Sequence, residues 1–498
     1  MIKIPRFSRD KTSALLAVAA VIITGSILLA VRAANYFASS EAEVSVAGPA
    51  VIITDAAASG GRAVQFRAAS VPPPAPTPAA NVTVNFNAPQ RSTAAYPFSG
   101  TISTYGQSGG SIPVSAKQRT MLGNLGPGLY RVPLKWNGGT IVSSAGGASA
   151  TISGDTWLSN IHAYGGIPMI VIGGSTDNSF TAADAANMVR HFNGSASTRV
   201  AYWVIGNEPG DMQSYCALFN SAADAMRAVD PAIKIAGPAW AYYSESVLTS
   251  FLQCAGGKVD IIDYHHYGMG ETFLSDAAAL SQTTAYEDEV NRIRQLITQI
   301  VPARANNIEI QIGEYNWSWR TADGYNGYDG DDRFYGAITT VWGASVVGHT
   351  VRAGGRAHQY ADQNGALGIT FEKTADASHF GTQISDPMPI YHGIKMFSGG
   401  NLFRGFGSTI VQTSTSLGNI EVYASTNAKN IVLINKDPNT AQTAVLSLTG
   451  VGNATAPLWQ TNKAAPFADP ANKGNITITN GIASFSLPPY TVSTVVIP

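Results

Sequence analysis

The stretch AYWVIGNEPG, residues 201–210, decides how this chain folds. Its first half is a short apolar run of the kind that forms a buried strand. Gly206 then lets the backbone turn, and Asn207 and Glu208 follow it. Proline cannot continue the hydrogen bonding of a strand, so Pro209 marks the end of the ladder. We therefore expect a buried strand that presents an amide and a carboxylate at its C-terminal end.

Seven other apolar runs have the same character, and amphipathic stretches such as residues 181–192 and 284–301 lie between most of them. A strand followed by a helix, repeated eight times, predicts an α/β fold of the (β/α)8 TIM barrel type. A doubly wound sheet is the alternative, but no glycine-rich phosphate loop follows the first strand. The eight candidate strands are residues 98–106, 128–136, 167–174, 200–209, 233–240, 259–267, 308–317 and 356–362.

The pattern changes after the barrel. Residues 396–498 contain short alternating strands broken by Asn, Gly and Pro turns, which predicts a C-terminal antiparallel β-sandwich. The catalytic barrel is then residues 81–395. The strand-like segment NVTVNFNAP within residues 81–90 is open to either domain, since it could also close the sandwich.

The N-terminal residues 1–34 read as a targeting segment. A basic flank precedes the uncharged run 12–31, which fits a signal peptide or an N-terminal membrane anchor. Both alternatives place the rest of the chain outside the cytoplasm, secreted or tethered to the cell membrane. Residues 35–80 are expected to form a stalk, because they resemble a remnant of a carbohydrate-binding module and end in the proline-rich linker VPPPAPTPAA.

Composition limits the partners. The formal net charge is -1, so no summed field draws the chain to nucleic acid, and a neutral substrate fits better.

No Cys or His cluster has metal-ligand spacing, and we expect neither a metal nor a cofactor. The acidic loop 323–333 is interpreted as a solvated rim rather than a calcium site. Cys216 and Cys254 are compatible with a disulfide or with two buried thiols.

In a TIM barrel the functional side chains project from the C-terminal ends of the strands. Glu208 ends the fourth strand, and Glu314, in GEYNW, ends the seventh. Arg131 lies on the second strand, and His265 and Tyr267 end the sixth. Three tryptophans near strand ends could stack on sugar faces, because a flat apolar ring fits pyranose C–H edges. They are Trp136, Trp240 and Trp317.

The motifs GNEP, residues 206–209, and GEYNW, residues 313–317, resemble those of the retaining glycoside hydrolases of clan A. The resemblance covers residues 81–498 and is greatest to family 39 and family 79 type enzymes, with families 51 and 44 less close. It implies that Glu208 is the acid/base and Glu314 the nucleophile.

The resemblance also implies roles for four neighbours of these glutamates. Asn207 would bond the sugar 2-hydroxyl, and Arg131 would hold Glu314 ionised. His265 and Tyr267 would orient a carboxylate and line the subsite below the reacting ring. We further expect an apolar site and repulsion from the ionised neighbour to hold the acid/base protonated.

The predicted function is an exported retaining glycoside hydrolase that cleaves O-glycosidic bonds of a polysaccharide or oligosaccharide by double displacement. Two carboxylates suit this reaction, because one protonates the departing oxygen and the other stabilises or attacks the anomeric carbon. A transglycosylase would use the same residues and stays an alternative. A non-catalytic carbohydrate-binding surface protein is the competing class, which the presence of both glutamates argues against. The sugar, and endo or exo action, stay open.

Overall fold

The structure of the chain is a computed structural model. It describes residues 50–54, 62–66, 79–102, 116–143, 152–173, 179–270, 272–319, 331–360, 368–371, 374–383 and 385–498. Residues 1–34, predicted to be a targeting segment, lie outside these residues, as do most of the predicted stalk and most of the acidic loop. Within the part that is described, none of the helices combines the length and the apolar character needed to cross a membrane.

The chain divides into two compact units, Met1–Pro76 and Thr77–Pro498. In the first unit β1 (Ala50–Thr54) pairs antiparallel with β2 (Arg62–Phe66). The second unit begins with the long strand β3 (Ala79–Ser92) and contains the barrel and the sandwich.

Eight parallel strands form a closed ring in the second unit, which confirms the predicted barrel. A ninth strand, β6 (Thr140–Ser143), adds antiparallel to one of them. The ring consists of β4 (Phe98–Thr101), β5 (Leu129–Asn137), β7 (Ile167–Ile172), β8 (Tyr202–Ile205), β9 (Lys234–Trp240), β10 (Ile261–His265), β11 (Glu309–Tyr315) and β12 (Arg356–Tyr360).

The barrel strands are buried on both faces, as parallel strands covered by helices must be. All five residues of β10 are buried, for example. Alternate residues such as Met169, Val171 and Val204 form one small apolar cluster, whereas their neighbours pack with the helices. Because side chains alternate along a strand, the small cluster fills the interior of the ring and the larger one surrounds it.

Several helices begin at polar capping residues. Thr181 and Asp184 form a reciprocal capping box, and Asp211 accepts the backbone N–H of Ser214. The helices of the described residues are α1 (Ala116–Gly123), α2 (Gly154–Ala163), α3 (Ala182–Asn193), α4 (Met212–Val229), α5 (Glu245–Ala255), α6 (Asp276–Ser281), α7 (Ala285–Ile300), α8 (Ala337–Arg352), α9 (Thr374–His379) and α10 (Pro389–Ser398). Cys216 of α4 and Cys254 of α5 are joined by a disulfide, which resolves the alternatives left by the sequence.

The C-terminal strands form a sandwich of two sheets with the orders β13-β3-β16-β19 and β14-β15-β20-β17-β18. Neighbouring strands are antiparallel except β3 and β16, which run parallel. The strands are β13 (Thr409–Thr415), β14 (Ile420–Ala424), β15 (Asn430–Asn435), β16 (Gln442–Thr449), β17 (Ala454–Gln460), β18 (Ala471–Ile478), β19 (Ile482–Leu487) and β20 (Thr491–Val496). Helix α8 is almost completely buried because the barrel and the sandwich pack on opposite sides of it.

Candidate active site

Glu208 lies just beyond the end of β8 in an unusual backbone conformation. Its φ is 48°, a left-handed value that non-glycine residues seldom adopt. The backbone N–H of Glu208 donates to the carbonyl of Ala239 at 2.8 Å, so the neighbouring strand holds this turn in place. Such strain persists only where the surroundings enforce it, and here it directs a side chain that is 33% exposed.

Glu314 lies near the end of β11, and its side chain is only 11% exposed. One carboxylate oxygen, Oε1, accepts from Nη1 of Arg131 at 3.2 Å. The other, Oε2, accepts the hydroxyl proton of Tyr267 at 2.7 Å. Both oxygens are thus held as acceptors, and the orientation of the carboxylate is fixed from two strands.

Arg131 connects the functional strand ends. Its side chain is completely buried on β5, and it donates to the carbonyl of Gly313 and to the hydroxyl of Thr101. Its Nη2 donates to Oδ1 of Asn207 at 3.2 Å. Because a guanidinium is always charged in proteins, Arg131 places a permanent positive charge beside Glu314.

His265 lies between Arg131 and Glu208. Its Nε2 is 3.3 Å from Nη2 of Arg131, and its Nδ1 is 2.8 Å from Oε1 of Glu208. A guanidinium only donates, so Nε2 must be the accepting nitrogen of a neutral ring. The proton is then on Nδ1 and is donated to Oε1 of Glu208. This arrangement leaves Oε2 of Glu208 as the oxygen that can carry a proton.

The expectation that Glu208 is held protonated does not fit the unliganded site. Burial raises the pKa of Glu208, but the hydrogen bond from His265, together with the charge of Arg131, lowers it by more. The net pKa lies below the ordinary value for glutamate. The physical reason is that a cation and a hydrogen-bond donor lie between the two carboxylates, which the sequence alone could not place.

The two glutamates approach each other closely. One carboxylate oxygen of Glu208, one of Glu314 and a ring nitrogen of His265 all lie within 4.8 Å of one another. Three such atoms could in principle ligate a metal. However, Nδ1 of His265 carries the proton that it donates to Glu208, and Nε2 accepts from Arg131, so neither ring nitrogen has a lone pair free for a metal.

The three candidate tryptophans differ in their surroundings. Trp317 is 1% exposed, donates from Nε1 to Asp331 and packs at right angles to Trp342. It has no open face, so the expected stacking of Trp317 on a sugar does not fit the structure. Trp240 and Trp136 are partly buried at the ends of β9 and β5.

The sequence reasoning missed Asp263, which is completely buried with Oδ2 3.6 Å from Nη2 of Arg131. It is a second counterion for the arginine. A Cβ at Gly313 would lie 2.0 Å from Oδ1 of Asp263, which explains why glycine precedes Glu314. One signal was available, because Asp263 is two residues before His265 and therefore shares its face of β10.

Residues 205–341 match the model of glycosyl hydrolases family 39. This segment contains both glutamates. This part of the barrel is therefore similar to the glycosyl hydrolases of family 39. The chain is therefore a glycosidase that acts on O-glycosyl bonds, as the two motifs predicted. No curated protein sequence matches the chain.

Solved structures share the architecture of this glycosidase. A bifunctional glucanase-xylanase from a metagenome library has 16% identity and a TM-score of 0.60, over 84% of this chain and 99% of that one. An α-L-arabinofuranosidase from Thermotoga maritima has 14% identity and a TM-score of 0.65, over 84% and 100%. A family 44 xyloglucanase from Paenibacillus polymyxa has 13% identity and a TM-score of 0.61, over 84% and 99%. At these identities the likeness concerns the fold.

Proposed function

We propose that the glycosidase is a retaining enzyme that cleaves polysaccharides or oligosaccharides by double displacement, with Glu208 as acid/base and Glu314 as nucleophile. The observation that carries this proposal is the close approach of the carboxylate oxygens of Glu208 and Glu314, within 4.8 Å. Retaining enzymes place their carboxyl groups about 5–5.5 Å apart, whereas inverting enzymes need about 6.5–9.5 Å to admit water.

In the first step Glu314 attacks the anomeric carbon and the glycosidic bond breaks. Glu208 gives the proton on Oε2 to the departing oxygen, while Oε1 keeps the hydrogen bond from His265. Binding of the substrate covers Glu208 and removes water from it, which raises its pKa from the lowered value of the open site. The products of this step are the free leaving group and a glycosyl ester of Glu314.

In the second step Glu208, now ionised, takes a proton from a water molecule that attacks the same carbon. The bond to Glu314 breaks, and its carboxylate returns to the hydrogen bonds from Arg131 and Tyr267. Two inversions give net retention. Asn207, fixed by Arg131, is assigned to the sugar 2-hydroxyl.

We propose in addition that the enzyme works outside the cytoplasm, secreted or anchored by its N-terminal segment. The basic flank and uncharged run of residues 1–34 support this location. The disulfide between Cys216 and Cys254 also supports it, because such bonds persist in oxidising compartments. Fractionation of cells that express the full chain tests the proposal, and recovery of the protein only in the reduced cytosol would contradict it.

The test of the mechanism is a screen of polysaccharides and aryl glycosides with the wild type, Glu208→Gln and Glu314→Gln. On polysaccharides we expect each variant to lose at least about a hundredfold in kcat/KM, because a positioned acid contributes about that much and no glycosyl ester forms without the nucleophile. Glu245→Gln is a matched control, because Glu245 pairs with Arg292 on the surface. Full activity of either active-site variant would refute the assignment.

A second measurement separates the two roles. Azide should rescue Glu314→Gly with formation of a glycosyl azide of inverted configuration, because the small anion takes the place of the missing nucleophile. Product analysis of the wild type by NMR should show retention in the first sugar released. An inverted first product would exclude double displacement, and transfer to sugar rather than water would identify a transglycosylase.

A further inference from the structure

Exposed aromatic side chains are concentrated on the catalytic face of the barrel. Four large hydrophobic residues are exposed in the described part of the chain, and three of them follow β9, β10 and β11, which are neighbours in the ring. Tyr242 is 60% exposed, Trp319 47% and Phe273 38%. The fourth, Ile482, lies in the sandwich. Clustered apolar groups in water indicate a binding surface.

This aromatic surface begins next to Glu208. The carbonyl of Ala239 accepts the backbone N–H of Glu208, and Trp240 is the following residue. The ring of Trp240 meets that of Tyr242 edge to face, with centroids 6.3 Å apart. The indole Nε1 of Trp240 is buried and has no hydrogen-bond partner among the described residues. A buried donor of this kind normally requires an acceptor, which a sugar hydroxyl could supply.

Trp319 is held in place at the other end of the surface. Its backbone N–H donates to the carbonyl of Met269 at 3.4 Å. Its indole lies against Gly270, where an added Cβ would be 2.9 Å from Nε1. The loop after β10 therefore supports the ring from below and leaves 47% of the residue exposed. A supported ring loses little conformational freedom when a ligand binds.

The position of Glu208 shows which part of a substrate meets these rings. The acid/base protonates the leaving oxygen, so the group beyond that oxygen lies on the side of Glu208 and Trp240. Flat aromatic rings bind the C–H faces of pyranose units. The charged residues beside Tyr242 that the structure describes, Glu245 and Arg292, pair with each other at 2.8 Å. The part of the surface around Tyr242 therefore suits neutral sugars.

We propose that Trp240, Tyr242, Phe273 and Trp319 form a leaving-group platform that binds neutral pyranose units beyond the scissile bond. The proposal rests on the proposed role of Glu208 as proton donor. It means that the substrate is a chain that continues past the cleaved bond. A monosaccharide on a small leaving group would fill only part of the site.

The test compares substrates with and without sugars on the leaving side. The probes are cello- and xylo-oligosaccharides up to the hexasaccharide and the 4-nitrophenyl glycosides of the same sugars. In Tyr242→Ala and Trp319→Ala we expect the ratio of kcat/KM for hexasaccharide to that for aryl glycoside to fall about tenfold, the loss of one stacked ring. Ile482→Ala, an exposed apolar residue of the sandwich, should keep the wild-type ratio. An unchanged ratio in both aromatic variants would overturn the platform.

A binding assay keeps this result separate from the proposed mechanism. The assay measures how far Glu314→Gln migrates in gels that contain neutral β-glucan or arabinoxylan. Binding to the polysaccharide slows the protein, and no catalysis is needed. We expect retardation of this variant and about tenfold weaker retardation when Trp319→Ala is added. Retardation that depends on Trp319 supports the platform even if Glu314→Gln proves active and the mechanism fails. No retardation in any of these gels contradicts the platform even if the mechanism holds.

Discussion

Two histidines of this enzyme lie between carboxylates, but their clusters serve different purposes. In the cleft, His265 is 2.8 Å from Glu208 and 3.6 Å from Glu314. Between the barrel and the sandwich, His349 is 2.7 Å from Glu287 and 3.1 Å from Glu421. In the first cluster Nε2 faces Arg131, whereas in the second each ring nitrogen faces a carboxylate oxygen and Nδ1 also lies 3.0 Å from Nη2 of Arg352.

The number of ring nitrogens that meet a carboxylate decides the state of each ring. In His265 only Nδ1 donates to a carboxylate, because Nε2 accepts from Arg131, so the ring is neutral. His349 has a carboxylate acceptor at each nitrogen. Burial and the charge of Arg352 lower the pKa of His349, but the hydrogen bonds that it donates to Glu287 and Glu421, together with the charge of Glu421, raise it more. Equal residue types therefore give a neutral hydrogen-bond donor beside Glu208 and a charged clamp of His349, Glu287 and Glu421 between the barrel and the sandwich.

The largest effect is expected for Arg131→Met. It removes the cation shared by Glu314 and Asp263 and leaves buried carboxylates without compensation. We expect loss of measurable activity and a decrease of about 3–5 kcal/mol in the free energy of unfolding. Urea unfolding and kcat/KM measure both effects, with Arg292→Met on the surface as control. Wild-type stability would show that the cleft does not depend on this charge.

The clamp should fail differently when Glu421 is replaced by Gln. Glu421 accepts from Ser345, His349 and Lys436, which would lose their buried anion. We expect a loss of about 3 kcal/mol in unfolding free energy. The kcat of the folded protein should stay within about twofold, because the clamp does not touch substrate. A loss of kcat without a loss of stability would contradict the separation of the two clusters.

The clamp also predicts how stability depends on pH. The raised pKa of His349 contributes stability that is complete below its unfolded value of about 6.5 and is lost as pH rises through the folded pKa. Burial raises the pKa of Glu421, but the hydrogen bond from His349 and the charge of Lys436 lower it by more. The contribution of Glu421 to stability is therefore present above its unfolded pKa of about 4.3 and is lost as pH falls through the folded pKa. Thermal unfolding should be most resistant between these limits. His349→Gln should flatten the alkaline side, and an unchanged profile would exclude the clamp.

The smallest effect is expected from His265→Leu on the pH profile of kcat/KM. The hydrogen bond from His265 lowers the pKa of Glu208, so removing it raises that pKa. A general acid with a higher pKa stays protonated at higher pH, so the basic limb should move to higher pH. His266→Leu is the matched control, because His266 pairs with Glu289 instead. A downward shift would reverse the inferred proton on Nδ1.

Local patterns were sufficient to predict the barrel and its two glutamates. The motifs at Glu208 and Glu314 are each a few residues long and can be read locally. In a TIM barrel the C-terminal ends of all strands lie on one face, which brings the two motifs together. Interactions across the ring were harder to foresee. Asp263 was missed because its partner, Arg131, is on a distant strand. Trp317 was misplaced because the same aromatic residue serves in a core and on a surface, and only tertiary packing distinguishes them.

The strand β3 has a consequence for how the molecule is assembled. Strand β3 precedes the barrel in the sequence, yet it lies between β13 and β16 in the sandwich sheet. The hydroxyls of Thr83 and Ser414, which are 331 residues apart, form a hydrogen bond there. In covalent terms the barrel is an insertion within the sandwich. A cut between barrel and sandwich near residue 396 would remove a central strand from the C-terminal piece. The ribosome must also release almost the whole enzyme before that sheet can close, so its long-range pairing is expected to form late.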